Sequence, residues 1–171
     1  VPRNVIVFCS LYDPDGEKIK NRTLIQREGS RCRILVSFPE AGLWKLSVFA
    51  RPRESTASFG HAAALFFDSS GGTSKTFPRV YLTYSELDGA LLSPLHMPLS
   101  SKERQKFKVR VVGTDDVYLL IGETLRRLEP HPTEEDVFEL VAQVPDGEPV
   151  QLQAKRKGNQ TYWTLVDYSG K

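Results

Sequence analysis

The stretch GLWKLSVFA, residues 42–50, decides the fold class because large apolar side chains alternate along it with other residues. Successive side chains of a β-strand point to opposite faces, so Trp44, Leu46 and Val48 would share one face and the residues between them the other. The stretch therefore predicts a β-strand with one face in a core.

Short alternating segments of this kind recur along the chain, and Gly, Pro, Asp or Asn ends nearly every one of them. Alternation bounded by turn residues is typical of strands joined by turns. In the first half we predict strands at residues 4–12, 23–27, 32–38, 43–50 and 62–68. In the second half we predict strands at residues 80–84, 90–93, 105–112, 117–121, 125–128, 137–144, 150–154 and 161–168. The predicted fold class is all-β.

A low-complexity segment, SSGGTS at residues 69–74, separates two halves that resemble each other. A Pro–acid–Gly turn within 38–42 precedes Leu46, and a second one at 144–147 precedes Leu152. Ser and Gly bury no apolar surface, so we place a flexible boundary between the halves. The pattern predicts two tandem immunoglobulin-like antiparallel β-sandwiches, with domain 1 at residues 1–72, a linker at 73–78 and domain 2 at 79–171.

The composition excludes several classes of protein. The 171 residues carry 23 Lys and Arg against 21 Asp and Glu, a balance that does not call for nucleic acid or a membrane surface as partner. The apolar run at residues 62–67 is far shorter than the roughly 18–20 residues that span a bilayer. The common hydrolase, metalloprotease and phosphate-loop motifs do not occur, and no His or Cys has metal-ligand spacing. We therefore predict no catalytic residue, no cofactor and no metal.

The two cysteines both fall on the apolar phase of alternating segments. Cys9 lies between Val7 and Leu11, and Cys32 precedes Ile34, so each would point inward on a strand. Two cysteines are too few for a disulfide scaffold. We predict two buried free thiols, with a core disulfide as the alternative.

Five segments form a pattern that is scattered over most of the chain. They are FPEAGLWKL at 38–46 with Phe49-Ala50, Phe77-Pro78, Leu92-Ser93-Pro94, Val137-Phe138-Glu139, and TYWTLVDY at 161–168. This pattern resembles the region that follows the transglutaminase-like domain in the kyphoscoliosis peptidase and hillarin family.

The resemblance implies noncatalytic, immunoglobulin-like segments placed after a domain with a Cys, His, Asp triad. No part of this sequence matches the triad region, so no family catalytic residue is carried over. Family members are associated with muscle maintenance, cytokinesis and cytoskeletal cross-linking. We therefore expect a cytoplasmic, cytoskeleton-associated protein-interaction module of a larger protein.

Basic residues on several segments are candidates for one protein-binding patch. Lys106, Lys108 and Arg110 alternate with apolar residues and would form the solvent face of a strand. Folding could add to them the cations Arg126, Arg127, Lys155, Arg156 and Lys157. No aromatic residues interleave in the manner of base-stacking proteins, so an acidic protein segment is the expected partner.

Candidate docking strands are the segment with Tyr81 and Thr83 and the segment at 33–37, because an unpaired strand edge accepts another extended segment.

Two other functions stay open at this point. Asn21 and Asn159 each begin an N-x-[ST] tripeptide, so one alternative is a secreted or cell-surface adhesion module with glycans and a Cys9–Cys32 bond. The other is an accessory domain that shapes the substrate cleft of an upstream transglutaminase-like domain.

Overall fold

The computed structural model describes residues 4–155, 158 and 161–169. These residues form antiparallel β-sheets and one short helix, so the prediction of an all-β protein is confirmed. The chain divides into two compact units, Val1–Phe77 and Pro78–Lys171. Neither length nor hydropathy would let any helix in the described part of the chain cross a lipid bilayer.

The first unit contains a four-stranded sheet and a separate hairpin. Its strands are β1 Val5–Tyr12, β2 Lys18–Ile19, β3 Thr23–Glu28, β4 Arg31–Val36, β5 Gly42–Pro52 and β6 Gly60–Ser69. The sheet has the order β2-β1-β5-β6, and β3 pairs with β4. The stretch at 42–50 lies in β5, where Trp44 and Leu46 are buried as alternation predicted.

The core of the first unit lies between the sheet and the hairpin. Cys9, Leu11, Trp44 and Leu46 form a buried cluster. The hairpin covers this cluster with side chains that are themselves only half-buried, Ile25, Ile34 and Val36. The sheet is therefore covered by only two strands.

The second unit is a sandwich of a four-stranded and a five-stranded sheet. Its elements are β7 Arg79–Val80, α1 Leu82–Glu86, β8 Ala90–Ser93, β9 Arg104–Arg110, β10 Asp116–Ile121, β11 Thr124–Arg127, β12 Glu129–Pro130, β13 Val137–Gln143, β14 Val150–Lys155 and β15 Tyr162–Asp167. The sheets have the orders β12-β13-β9-β8 and β11-β10-β14-β15-β7. Immunoglobulin-type sandwiches place strands D, E, B and A in one sheet and C, F and G in the other, and these strands follow that arrangement in chain order.

Fully buried side chains from both sheets fill the second sandwich. Phe107 and Val109 come from β9, while Leu119 and Leu152 come from β10 and β14. Each of these residues alternates with a more exposed neighbour, as expected when one face of every strand meets the core.

The predicted strand at 80–84 is wrong. Only Arg79 and Val80 pair with β15, and the chain then turns into α1. The turn brings the Tyr84 ring into the core, where its hydroxyl accepts a hydrogen bond of 2.8 Å from the Leu91 N–H. The Tyr84 ring also lies so close to Gly89 that a Cβ there would come within 2.5 Å of it.

The Ser- and Gly-rich segment and the residues that follow it, up to Phe77, are hydrogen-bonded to the rest of the first unit. The Arg22 guanidinium donates to the carbonyl oxygens of Thr73 at 2.7 Å and Lys75 at 3.0 Å. The Ser37 hydroxyl donates to the Lys75 carbonyl at 2.7 Å. These hydrogen bonds attach residues 73–75 to the first unit, at a place where composition alone predicted a flexible linker.

Two further contacts extend this attachment to the end of the first unit. The Phe77 N–H donates to the Asn21 carbonyl at 2.8 Å, and the Phe77 side chain is buried. A Cβ at Gly72 would lie 2.1 Å from the Pro39 carbonyl oxygen, so only glycine allows this close approach. The partners are distant in sequence, which is why local composition did not predict them.

Candidate protein-interaction surfaces

The outer face of the first sheet carries a cluster of aromatic side chains. The rings that form this aromatic face are those of Phe8, Tyr12, Phe49, Phe59 and Phe66. Phe8 is 45% exposed and Phe66 is 65% exposed. Contiguous exposed apolar surface of this kind marks interaction sites in folded proteins.

The strand register places these rings side by side. Phe8 lies opposite Phe49 across β1 and β5, with their ring centroids 6.1 Å apart. Phe59 lies 6.1 Å from Phe8, and the His61 ring meets Phe49 edge-on at 5.5 Å. These spacings are those of aromatic pairs that stabilise one another.

Cations lie over three of the rings. The Lys18 ammonium is 5.2 Å from the Phe8 centroid, and the Arg51 guanidinium is 4.7 Å from that of Phe59. The Lys45 ammonium is 5.8 Å from the Tyr12 centroid. Such contacts hold a positive charge against an apolar surface without removing it from solvent.

A groove of about 520 Å³ opens on the same face. Tyr12, Lys45, Phe49, His61 and Phe66 contribute to its wall. The first 77 residues carry 11 Lys and Arg against 7 Asp and Glu, whereas the remaining 94 carry 12 against 14. The unit that bears the groove is thus the basic one.

The corresponding outer face of the second unit is polar. Tyr118 and Tyr162 meet edge-on at 5.1 Å, and the Lys155 ammonium lies 4.6 Å from the Tyr162 centroid. The Gln151 carboxamide donates to Asp167 at 3.3 Å and accepts from Gln153 at 3.3 Å. These side chains satisfy one another, so this face has less unpaired surface to offer.

The structure separates the predicted basic patch. Lys106, Lys108 and Arg110 lie on β9 of the four-stranded sheet, on its solvent side as predicted. Arg127 and Lys155 lie on the solvent side of the other sheet, since they lie opposite Tyr118 and Asp116, which alternate along β10 with the buried residues Val117 and Leu119. The two groups therefore occupy opposite surfaces of one sandwich and do not form one patch.

Two of the three β9 cations already form ion pairs with acidic side chains. Lys106 pairs with Glu139 at 2.7 Å, and Lys108 pairs with Glu134. The hydrogen bond from Lys106 holds the pKa of Glu139 below its ordinary value, and the bond from Lys108 lowers the pKa of Glu134 in the same way. His131 adds contacts to both carboxylates at 3.9 and 3.2 Å.

The remaining basic candidates differ in their surroundings. Arg127 pairs with Asp116 at 2.8 Å, and Asp116 lies directly opposite Lys155. Arg126 is exposed on the other side of β11, because it lies opposite Leu119 rather than Tyr118. The predicted patch members Arg156 and Lys157 lie outside the described residues.

The two cysteines are free thiols in different environments. Cys9 is buried and Cys32 is half-buried. Burial raises the pKa of the Cys9 thiol to about 11 and also raises that of Cys32. A thiol whose pKa is raised is a poor nucleophile at neutral pH. Within the described residues, no group of three or more His, Cys, Asp or Glu side chains is arranged to hold a metal.

The two candidate docking strands have different outcomes. The segment with Tyr81 and Thr83 leads into α1 and offers no strand edge, so that prediction is wrong. The segment at 33–37 lies largely in β4. Among the described strands β4 pairs only with β3, so its other edge stays a candidate for docking.

The predicted glycosylation positions give little further information. Asn21 is half-buried in a turn with a φ of 57°, and its carbonyl accepts the Phe77 N–H. Asn159 lies outside the described residues.

The aromatic face was not predicted, although the sequence contained a signal for it. Phe8 falls out of phase with the core residues Val7 and Cys9, and Phe66 pairs with exposed Lys45 rather than with a core residue. Large apolar residues on the solvent phase of a strand are informative.

Comparisons with models of known protein families and with curated protein sequences gave no match. The described structure by itself defines a protein of antiparallel β-sandwich class that exposes an aromatic, cationic sheet face on its first unit.

Proposed function

We propose that this chain is a noncatalytic protein-interaction module that binds its partner on the aromatic face of the first unit. The observation that carries the proposal is the cluster of exposed rings on one sheet face, with Phe66 65% exposed. Aromatic residues and Arg are enriched at protein interfaces, where burial of a few large side chains supplies most of the binding energy.

The chemistry of the face favours an acidic partner segment with apolar side chains. Apolar groups would enter the groove beside Phe49 and Phe66, while carboxylates would meet Lys45 on the groove wall and Lys18 over the Phe8 ring. The net positive charge of the first unit would attract such a segment from a distance and accelerate association.

We further propose that the partner is cytoskeletal and that the chain works as a cytoplasmic scaffold within a larger protein. This part rests on the resemblance to the kyphoscoliosis peptidase and hillarin family, whose members are associated with cytoskeletal cross-linking. Fold analogy supports function only by association, so the partner has to be identified by experiment.

The test compares three chains for capture from a salt-extracted cytoskeletal fraction, with captured proteins identified by mass spectrometry. Phe8→Ser with Phe66→Ser removes two exposed rings and should weaken binding of a specific partner at least tenfold. The matched control is Tyr118→Ser with Tyr162→Ser on the second unit, which should bind as the natural chain does. Equal capture by all three chains, or no capture, would refute the proposed face.

A further inference from the structure

The two units share one strand arrangement except for three positions. In the second unit β10 pairs with β11 and β14, β14 pairs with β15, and β12 pairs with β13. In the first unit β1 pairs with β2 and β5, β5 pairs with β6, and β3 pairs with β4. The Pro–acid–Gly turn precedes β5 and β14 alike, which supports the same alignment from sequence.

The positions without a counterpart in the first unit are that of β7, which pairs with β15 in the five-stranded sheet, and those of β8 and β9 in the other sheet. In the second unit β9 pairs with β13 on the side away from β12, and β8 continues that sheet. In the first unit β4 is the counterpart of β13. It pairs with β3 and has no second partner among the described strands. Backbone N–H and C=O groups along β4 are thus available for a strand.

The solvent exposure of equivalent side chains also indicates that strands are missing from the first unit. Leu65 on β6 lies opposite Leu46, and Val166 on β15 lies opposite Leu152, so Leu65 and Val166 are equivalent. Leu65 is 46% exposed, whereas Val166 is fully buried. The core-facing side of β6 is therefore open, whereas that of β15 is covered in a unit that has β7, β8 and β9.

We infer that the first unit is completed by a pair of strands from the polypeptide that precedes β1, the inner one pairing antiparallel with β4. The order of the second unit selects this source, because β8 and β9 come directly before β10, the counterpart of β1. Alternate apolar residues of the inner strand would face the core and cover Ile34 and Leu65. In the second unit, Phe107 and Val109 on β9 face the core in this alternating way.

This inference is independent of the proposed contact face, which lies on the other side of the same sheet. The completing strands would join the hairpin layer and leave Phe8 and Phe66 exposed. The two proposals can therefore fail separately.

The test uses two cysteine variants on adjacent residues of β6, in a Cys32→Ser background. Leu65→Cys places a thiol on the core-facing side, and Phe66→Cys places one on the aromatic face. Both positions are exposed, so both variants should fold. Each is made in this chain and in a chain extended by about the 30 natural residues that precede Val1, enough for a strand pair of the length of β8 and β9.

The extension should slow the reaction of the Leu65→Cys thiol with a soluble reagent at least tenfold and change that of Phe66→Cys less than twofold. A Gly- and Ser-rich extension of equal length should slow neither. Equal reactivity of Leu65→Cys in both chains would overturn the inference, and so would equal slowing at both positions, because nonspecific masking would then explain the result.

Discussion

The first and second units differ in how much of the same sheet arrangement is covered. In the second unit a four-stranded sheet lies over the other sheet, and Leu119, Leu152 and Val166 are fully buried. In the first unit a two-stranded hairpin covers the sheet, and several apolar side chains of the core stay half-buried. The comparison teaches that strand order can be retained while core burial changes from one unit to the next. Because burial of apolar surface stabilises a fold, we expect the first unit to be the less stable one.

The largest effect is expected from truncating the equivalent residues of the last strands. Val166→Ala should lower the free energy of unfolding of the second unit by about 2–3 kcal/mol, because the side chain is fully buried. Leu65→Ala removes more atoms but should cost less than about 1 kcal/mol, because the side chain is already half exposed.

Urea unfolding followed by the fluorescence of Trp44 in the first unit and Trp163 in the second, in single-tryptophan variants, measures both values. An equal loss of unfolding free energy at the two positions would contradict the comparison, because it would mean that Leu65 is as well packed as Val166.

A smaller effect should appear in alkaline solution in the first unit. Burial raises the pKa of the Cys9 thiol from 9.0 to about 11 in the folded chain. The folded state then holds this proton more tightly than the unfolded state, so stability is intact below pH 9 and falls as pH rises towards 11. The loss from Cys9 should be about 1 kcal/mol at pH 10.

Urea midpoints from Trp44 fluorescence at pH 8 and pH 10 test this expectation, with Cys9→Ala as the control. The variant should lose less stability than the natural chain between the two pH values. The same loss in both chains would assign the effect to other groups.

The smallest effect concerns the segment that joins the two units along the chain. Arg22→Ala removes two charge-assisted hydrogen bonds to backbone carbonyls, and this change should favour local opening by roughly 0.5–1 kcal/mol. Trypsin should then cleave after Lys75 about three- to fivefold faster, because cleavage follows the population of the open form.

Arg33→Ala is the matched control, since it removes an exposed arginine of the same unit that pairs with Glu28. Cleavage after Lys75 at the natural rate in Arg22→Ala would show that the remaining contacts hold the segment by themselves.

Local patterns in the sequence predicted the strands because alternation depends only on neighbouring residues. They failed at α1, where Val80, Leu82 and Tyr84 alternate as in a strand although Tyr84 enters the core from a helical turn. The tertiary contact between Tyr84 and Leu91 outweighed the local preference.

Surface sites were harder to predict than strands. Alternation correctly placed Lys106 and Lys108 on a solvent face, but it could not show which sheet each strand joins. Membership of a sheet is a non-local property, and it sends Lys155 to the opposite surface. Arg22 was not predicted to hold residues 73–75, since its partners are backbone carbonyls about 50 positions away.

The attachment of the Ser- and Gly-rich segment has a mechanical consequence. Its hydrogen bonds lie in series along the chain, first Phe77 to Asn21, then Lys75 to Arg22, then Thr73 to Phe38. A pull on Phe77 away from the first unit would load these bonds one after another, so they would open at lower force than a sheet sheared all at once. Release of the eight residues 70–77 would lengthen the chain by up to about 27 Å while every strand stays paired. Under tension, residues 70–77 would therefore extend before any β-strand separates from its neighbour.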